Sequence, residues 1–203
     1  MSTGVELRYL AAPAFLRALP ALVDIYMNAM APPADHAAGR RAIMEHHAQY
    51  PRFHAVVAVS TGNGTAAGFA YGFRGQRGQW WHDSVLQELL TRAPSEEHQW
   101  FSNPFELAEL HVHPSWQGHG VGRSLLERLA AVRSERTAAL STHSGATAAH
   151  RLYRSCGFTD VLREFYFPGN PHQPFTVMSA RLPLRERGSR KAAHRSHGWL
   201  WTG

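Results

Sequence analysis

Cysteine is almost missing from this chain of 203 residues. Cys156 stands alone, so no internal disulfide can form, and a reducing, cytoplasmic setting is the simplest expectation. Lysine is as scarce: Lys191 is the single one among 21 basic residues, which reads as compositional bias rather than chemistry. No apolar run approaches the roughly 18–20 residues of a membrane span, so no membrane association is expected. The opening "MSTGVELRYLAAP" lacks the basic and then apolar segments of a secretory signal.

What is present suits a globular domain: 44% hydrophobic and 18% charged residues. The net charge of +6 hints at nucleic acid, but its distribution weakens the hint. Residues 185–203 hold five Arg or Lys against one Glu, whereas the rest of the chain holds 16 against 14. The body is nearly neutral, and no nucleic-acid partner is expected. The stretch 184–203 has no apolar period and reads as a basic, disordered tail behind a domain at 1–183.

Apolar spacing predicts helices at Ala14–Met30, Asp35–Tyr50, Val121–Arg133 and Thr147–Ser155, with Asp35 a candidate N-cap. Strands are predicted at Val5–Leu10, Phe53–Ser60, Ala66–Arg74, Phe105–His113, Thr137–Thr142, Phe158–Phe167 and Phe175–Leu182. "TGNGT" reads as the hairpin turn after Ser60. Residues 75–104 are a long insertion, irregular at both ends, with a short helix at Val85–Thr91. The order implies a mixed α/β (α+β) sheet of about seven strands flanked by about four helices. The helix between Phe105–His113 and Thr137–Thr142 makes those two strands parallel.

The chemistry gathers at "HPSWQGHGVGRSLLERL", residues 113–129. Strand, glycines and then a helix is an arrangement that binds phosphate, because the first N–H groups of a helix are unpaired and glycine lets an anion come close. Two familiar patterns fail. No lysine lies near for a P-loop, and G-x-G-x-x-G would need glycine where Arg123 or Leu125 stands. A ligand-free glycine turn therefore remains open on these residues alone.

The surroundings are more specific. Val112, Pro114, Gln117, Gly120 and Gly122 resemble the acetyl-CoA-binding motif of the GNAT superfamily of N-acetyltransferases. Ala149, Leu152, Tyr153, Gly157 and Phe158 resemble that family's A-x-x-L-Y-x-x-x-G-F block, and the element order over residues 5–182 is similar to the family's. One departure stands out: where the family often has a cofactor-binding asparagine, this chain has Ala146, and Thr147 or Ser144 would have to replace it.

The resemblance implies a GNAT fold whose parallel strand pair splays apart to hold acetyl-CoA. It implies that main-chain groups of Gly118, His119, Gly120, Val121 and Gly122 grip the pyrophosphate, with Arg123 adding charge and Gln117 among the cofactor-binding residues. Leu110, His111 and Val112 would pair with the pantetheine arm. Tyr153 would protonate the leaving thiolate. No metal is expected: His111 and His113 share a strand face, but no third ligand joins them at suitable spacing.

An amine must lose a proton before it attacks, so a base is needed. Glu106 and Glu109 lie on an otherwise apolar strand, where glutamate is unusual. Strict alternation would send them to opposite faces unless a bulge intervenes. Glu109 leads, Glu106 follows, and His111 is a third candidate. The insertion carries Trp80, Trp81, Trp100 and Phe101 with Asp83, Glu88, Glu96 and Glu97, which suits a lid selecting a cationic amine, a dimer contact or a local core equally. The expected activity is acetyl transfer to a primary amine of a small molecule or peptide. The alternative is an acetyl-CoA sensor without turnover. A homodimer is compatible with the family resemblance.

Overall fold

The computed structural model describes residues 4–184. The tail expected at 184–203 lies, beyond Leu184, outside the described residues. The chain runs β1 (Val5–Leu10), α1 (Ala12–Met30), α2 (His36–His47), β2 (His54–Ser60), β3 (Ala66–Arg74), α3 (Trp80–Arg92) and α4 (Pro94–Phe101). It continues through β4 (Pro104–Val112), α5 (Val121–Ala130), β5 (Thr137–His143), α6 (Ala148–Ser155), β6 (Thr159–Phe165) and β7 (Phe175–Arg181). The seven strands form one sheet in the order β1-β2-β3-β4-β5-β7-β6. Only β4 and β5 pair in parallel; every other neighbouring pair is antiparallel.

Local chemistry explains most boundaries. Pro13 sits in the first turn of α1, where its missing N–H costs nothing. The same helix ends at Ala31, left-handed at φ 47°, with Pro32 and Pro33 behind it. Asp35 precedes α2 but makes no side-chain cap bond. In the β2–β3 hairpin, Asn63 Oδ1 accepts from both the backbone N–H and the hydroxyl of Thr65. The insertion is more regular than its sequence suggests. The short helix expected at Val85–Thr91 is part of the longer α3, and α4 follows it, which brings the α-helices among the described residues to six.

Two helical layers cover the sheet. On one face α5 and α6 bury Val121, Leu125, Leu129 and Tyr153 against Val56, Phe105, Leu107, Ala138 and Leu140. On the other, α1 and α2 bury Phe15, Leu19, Leu22 and Met44 against Val57, Phe69, Tyr71 and Phe73. The insertion completes that second layer: Val85, Leu89, Trp100 and Phe101 pack on Ala139, Leu162, Phe165 and Val177. Each such large apolar side chain contributes roughly 1.5–3 kcal/mol on burial, so the insertion is an integral part of the core.

Two irregularities in β4 shape the site. Tyr71 pairs with Glu109 and Gly72 with Leu107, so Ala108 has no partner and forms a bulge. The strand presses close there: a Cβ on Gly72 would lie 2.2 Å from the carbonyl oxygen of Glu106 and 2.5 Å from the Phe105 ring. Glycine is the residue that permits this approach. The second irregularity is a parting. β4 and β5 pair only from Pro104–Thr137 to Glu106–Ala139, while β5 stays paired with β7 as far as His143.

Candidate active site

Beyond Glu106, one side of β4 is left without a neighbour. The His113 N–H bonds to Ala67 of β3 at 2.9 Å, so in an antiparallel ladder the main-chain groups of Leu110 and Val112 turn the other way, into the gap. Gln117 fills only part of the gap: its Nε2 donates to the Val112 carbonyl at 3.0 Å, and the main-chain N–H groups of Leu110 and Val112 face the gap with no strand opposite them among the described residues.

Pro114–Trp116 form one tight turn, braced by the Ser115 N–H on His113 Nδ1 at 3.3 Å. The chain then bends through Gly118 at φ 78° and Gly120 at φ 82°, which most residues adopt only with strain. Gly120 is the N-cap of α5, and the first bond of that helix runs from the Ser124 N–H to the Gly120 carbonyl at 3.1 Å. The N–H groups of Val121, Gly122 and Arg123 are therefore unpaired at the positive end of the helix, a seat for an anion.

Leu110, His111, Val112, Gln117, Gly118, Gly120, Val121, Gly122 and Arg123 line one cavity of ≈ 590 Å³, together with Tyr153. His119 does not line it. The Arg123 guanidinium is already engaged, by Glu127 at 3.1 Å and by the Ser155 hydroxyl. Thr147 and Ser144, the substitutes for the missing asparagine, are engaged too: Thr147 caps α6 by accepting from the His150 N–H, and Ser144 bonds Thr176. A larger cavity, ≈ 710 Å³, opens where β4 and β5 begin and is lined by Arg136 and Arg181. It contains none of these glycines and no helix end of α5, so the smaller cavity is the better candidate.

Tyr153 reaches the gap from the α5–α6 side. It is buried to 7% exposure against Phe158, and its hydroxyl takes no hydrogen bond among the described residues. Burial raises its pKa well above the ordinary value, so it stays protonated at neutral pH.

The two glutamates lie on the opposite face, brought to the same side by the bulge. Glu109 Oε1 accepts from Arg40 of α2 at 2.7 Å, and Arg40 also donates to the Tyr26 hydroxyl. Its Oε2 lies 3.0 Å from His111 Nε2, an ion-pair distance without the alignment of a hydrogen bond. Burial pushes the Glu109 carboxyl up, but His111 and Arg40 together pull it below its usual value. Glu106 is the reverse case. Burial raises its pKa, Asp83 adds to the rise, and His82 of α3 offsets only part of it at 2.6 Å. Its second oxygen, Oε2, is buried without a hydrogen-bond partner among the described residues. Arg40 and His82 carry no local sequence signal. They meet the glutamates across 69 and 24 residues of chain.

A sequence profile described as an acetyltransferase (GNAT) domain matches residues 51–160, and the chain belongs to that family. Over 132 residues it is 38% identical to a GCN5-like protein acetyltransferase of Mycobacterium tuberculosis, covering 63% of this chain and 64% of that relative. The match thus spans less than two thirds of the relative's length. Among solved structures, a GNAT-family protein described as an acetyltransferase from Desulfovibrio desulfuricans superposes with a TM-score of 0.61 at 14% identity, covering 87% of this chain and 98% of its own. The yncA protein of Salmonella typhimurium, solved with acetyl-CoA, gives 0.59 at 21% identity, covering 93% and 98%. At these identities the two structures speak to the fold.

Proposed function

We propose that this protein transfers the acetyl group of acetyl-CoA to an amine, with Glu106 as base and Tyr153 as acid. The observation that carries the reading is the parting of β4 from β5 beside the unpaired N–H groups at the start of α5. One feature offers main-chain partners to an amide-bearing arm, and the other offers donors to a diphosphate. The residues present fit acetyl-CoA, which supplies an activated thioester.

An alkyl ammonium with a pKa near 10 is about 0.1% neutral at pH 7, so freeing its lone pair costs roughly 4 kcal/mol. Glu106 sits at the last paired position before the gap, has one free oxygen, and its pKa is shifted upward, as a base working near neutrality requires. Glu109 is held in an ion pair and fits a structural role. A free N–H of Leu110 or Val112 would stabilise charge developing on the acyl oxygen. Tyr153 would then give its proton to the departing sulfur. Base and acid act from opposite faces of the sheet.

The name of the mycobacterial relative favours a protein amino group as acceptor. Release of thiol from acetyl-CoA, measured against polyamines, aminoglycosides, amino acids, peptide N-termini and lysine-bearing proteins, tests both activity and class. Heat stabilisation by coenzyme A with no turnover of any amine would replace the enzyme by a sensor.

A further inference from the structure

We propose that His82, supplied by the insertion, is the positioning residue of Glu106: its Nδ1 fixes one carboxylate oxygen and leaves Oε2 to receive the amine's proton. The inference rests on the reading of Glu106 as base and assigns the insertion a part in the chemistry.

The insertion encloses this carboxylate from two of its own elements. Gly75, at its start, lies so close that a Cβ there would stand 2.1 Å from Glu106 Oε1. His82, on α3, closes the other side at 2.6 Å from the same oxygen. The His82 ring in turn packs against Phe101 of α4 at 5.7 Å. Both partners are buried, Glu106 at 2% exposure and His82 at 4%. An ionised carboxylate only accepts hydrogen bonds, so Nδ1 carries the hydrogen while Glu106 is in its basic form. Oε1 is thereby occupied, and Oε2 is the oxygen of this carboxylate with no hydrogen-bond partner among the described residues. A buried acceptor without a donor marks a place for a ligand or water.

The remaining surroundings do not replace His82. β3 and β5 present Phe73 and Ala139 as the pairing partners of Glu106. Asp83 of α3 repels the carboxylate, and Tyr50, after α2, is near enough for Glu106 to push its hydroxyl up in addition to burial. No guanidinium bonds this carboxylate among the described residues. Without His82, burial and Asp83 would act unopposed and the carboxyl would hold its proton to higher pH.

The test uses the full chain with His82→Phe, which keeps a planar ring and removes the donor, and His82→Asn, whose amide can donate near the position of Nδ1. Glu106 protonation is read by carbon NMR of labelled glutamate, assigned with Glu106→Gln, and the acid limb of kcat/KM is read in parallel. The expected result is an upward move of about one pH unit or more in the Phe variant. A smaller move is expected in the Asn variant, with the KM for acetyl-CoA unchanged in both. An unmoved Glu106 titration in the Phe variant overturns the proposal, as does an equal move in the two variants. A shifted titration in a protein that acetylates no amine would sink the enzymatic reading while leaving the hold of His82 on Glu106 intact. Should the Phe variant fail to fold, the Asn variant against the unaltered chain decides: its limb and titration must stay within about half a unit.

Discussion

Glu106 and Glu109 project from the same face of β4, three positions apart, because Ala108 has no residue opposite it in β3. The two carboxyls are then pushed in opposite directions, Glu106 up by burial and Glu109 down by His111 and Arg40 against burial. One strand thus holds a carboxyl suited to taking protons and another suited to staying charged.

Glu106→Gln should lower kcat by roughly 10²-fold or more, with little change in the KM for acetyl-CoA, in steady-state thiol-release assays. The same variant should be relatively more stable as pH rises. A raised native pKa favours the fold fully below the unfolded value of 4.5, and that contribution is lost as pH climbs through the native value. Melting temperatures of both proteins across pH 4 to 8 should diverge upward in pH; parallel curves would contradict the assignment.

Arg40→Met should destabilise the protein by roughly 3–5 kcal/mol at pH 7, because it strands the buried Glu109 charge. Glu109 has a lowered native pKa, so its contribution is present above 4.5 and lost as pH falls through the native value. The urea midpoint gap between the two proteins should therefore narrow in acid. The double variant with Glu109→Gln should recover most of the loss.

Tyr153→Phe should keep its stability, since the lost hydroxyl makes no hydrogen bond among the described residues. Its kcat should fall by about 10²-fold while coenzyme A binding, measured by calorimetry, stays within about twofold. Equal losses in kcat and affinity would point to packing instead.

Gly120→Ala forces a side chain onto a backbone at φ 82°, at a cost of about 1–2 kcal/mol. Space is not the obstacle, since nothing lies within 4 Å of the added carbon. The bend must shift to relieve the strain, and coenzyme A affinity should drop by about tenfold, the same free energy expressed as binding.

Most of the scaffold was legible in the chain. Val5–Leu10 and Ala66–Arg74 are strands with the bounds the pattern suggests, and the stripe Phe15, Leu19, Leu22, Val23 and Tyr26 is the buried side of α1. The glycine block sits where a strand meets a helix, as its composition demands. The bulge was legible only as a condition, because it depends on Gly72 across the ladder rather than on β4 itself. The insertion showed part of α3, as the short helix at Val85–Thr91, but hid its full length and all of α4, because the apolar partners Leu162, Phe165 and Val177 come from β6 and β7. The ties of Arg40 and His82 to the glutamates are products of tertiary folding, and nothing near either residue in sequence announces them.

The parting of β4 from β5 places an unsatisfied seam in the interior of a sheet, rather than at its outer borders, β1 and β6. Helical layers stand on both sides of that seam, so another copy of the chain meets no free rim there. A slender guest rich in amides can still thread between the strands and borrow their hydrogen bonds. Recognition of this sort reads spacing along a backbone and is indifferent to outward-pointing side chains, which leaves those positions free to change while the grip persists.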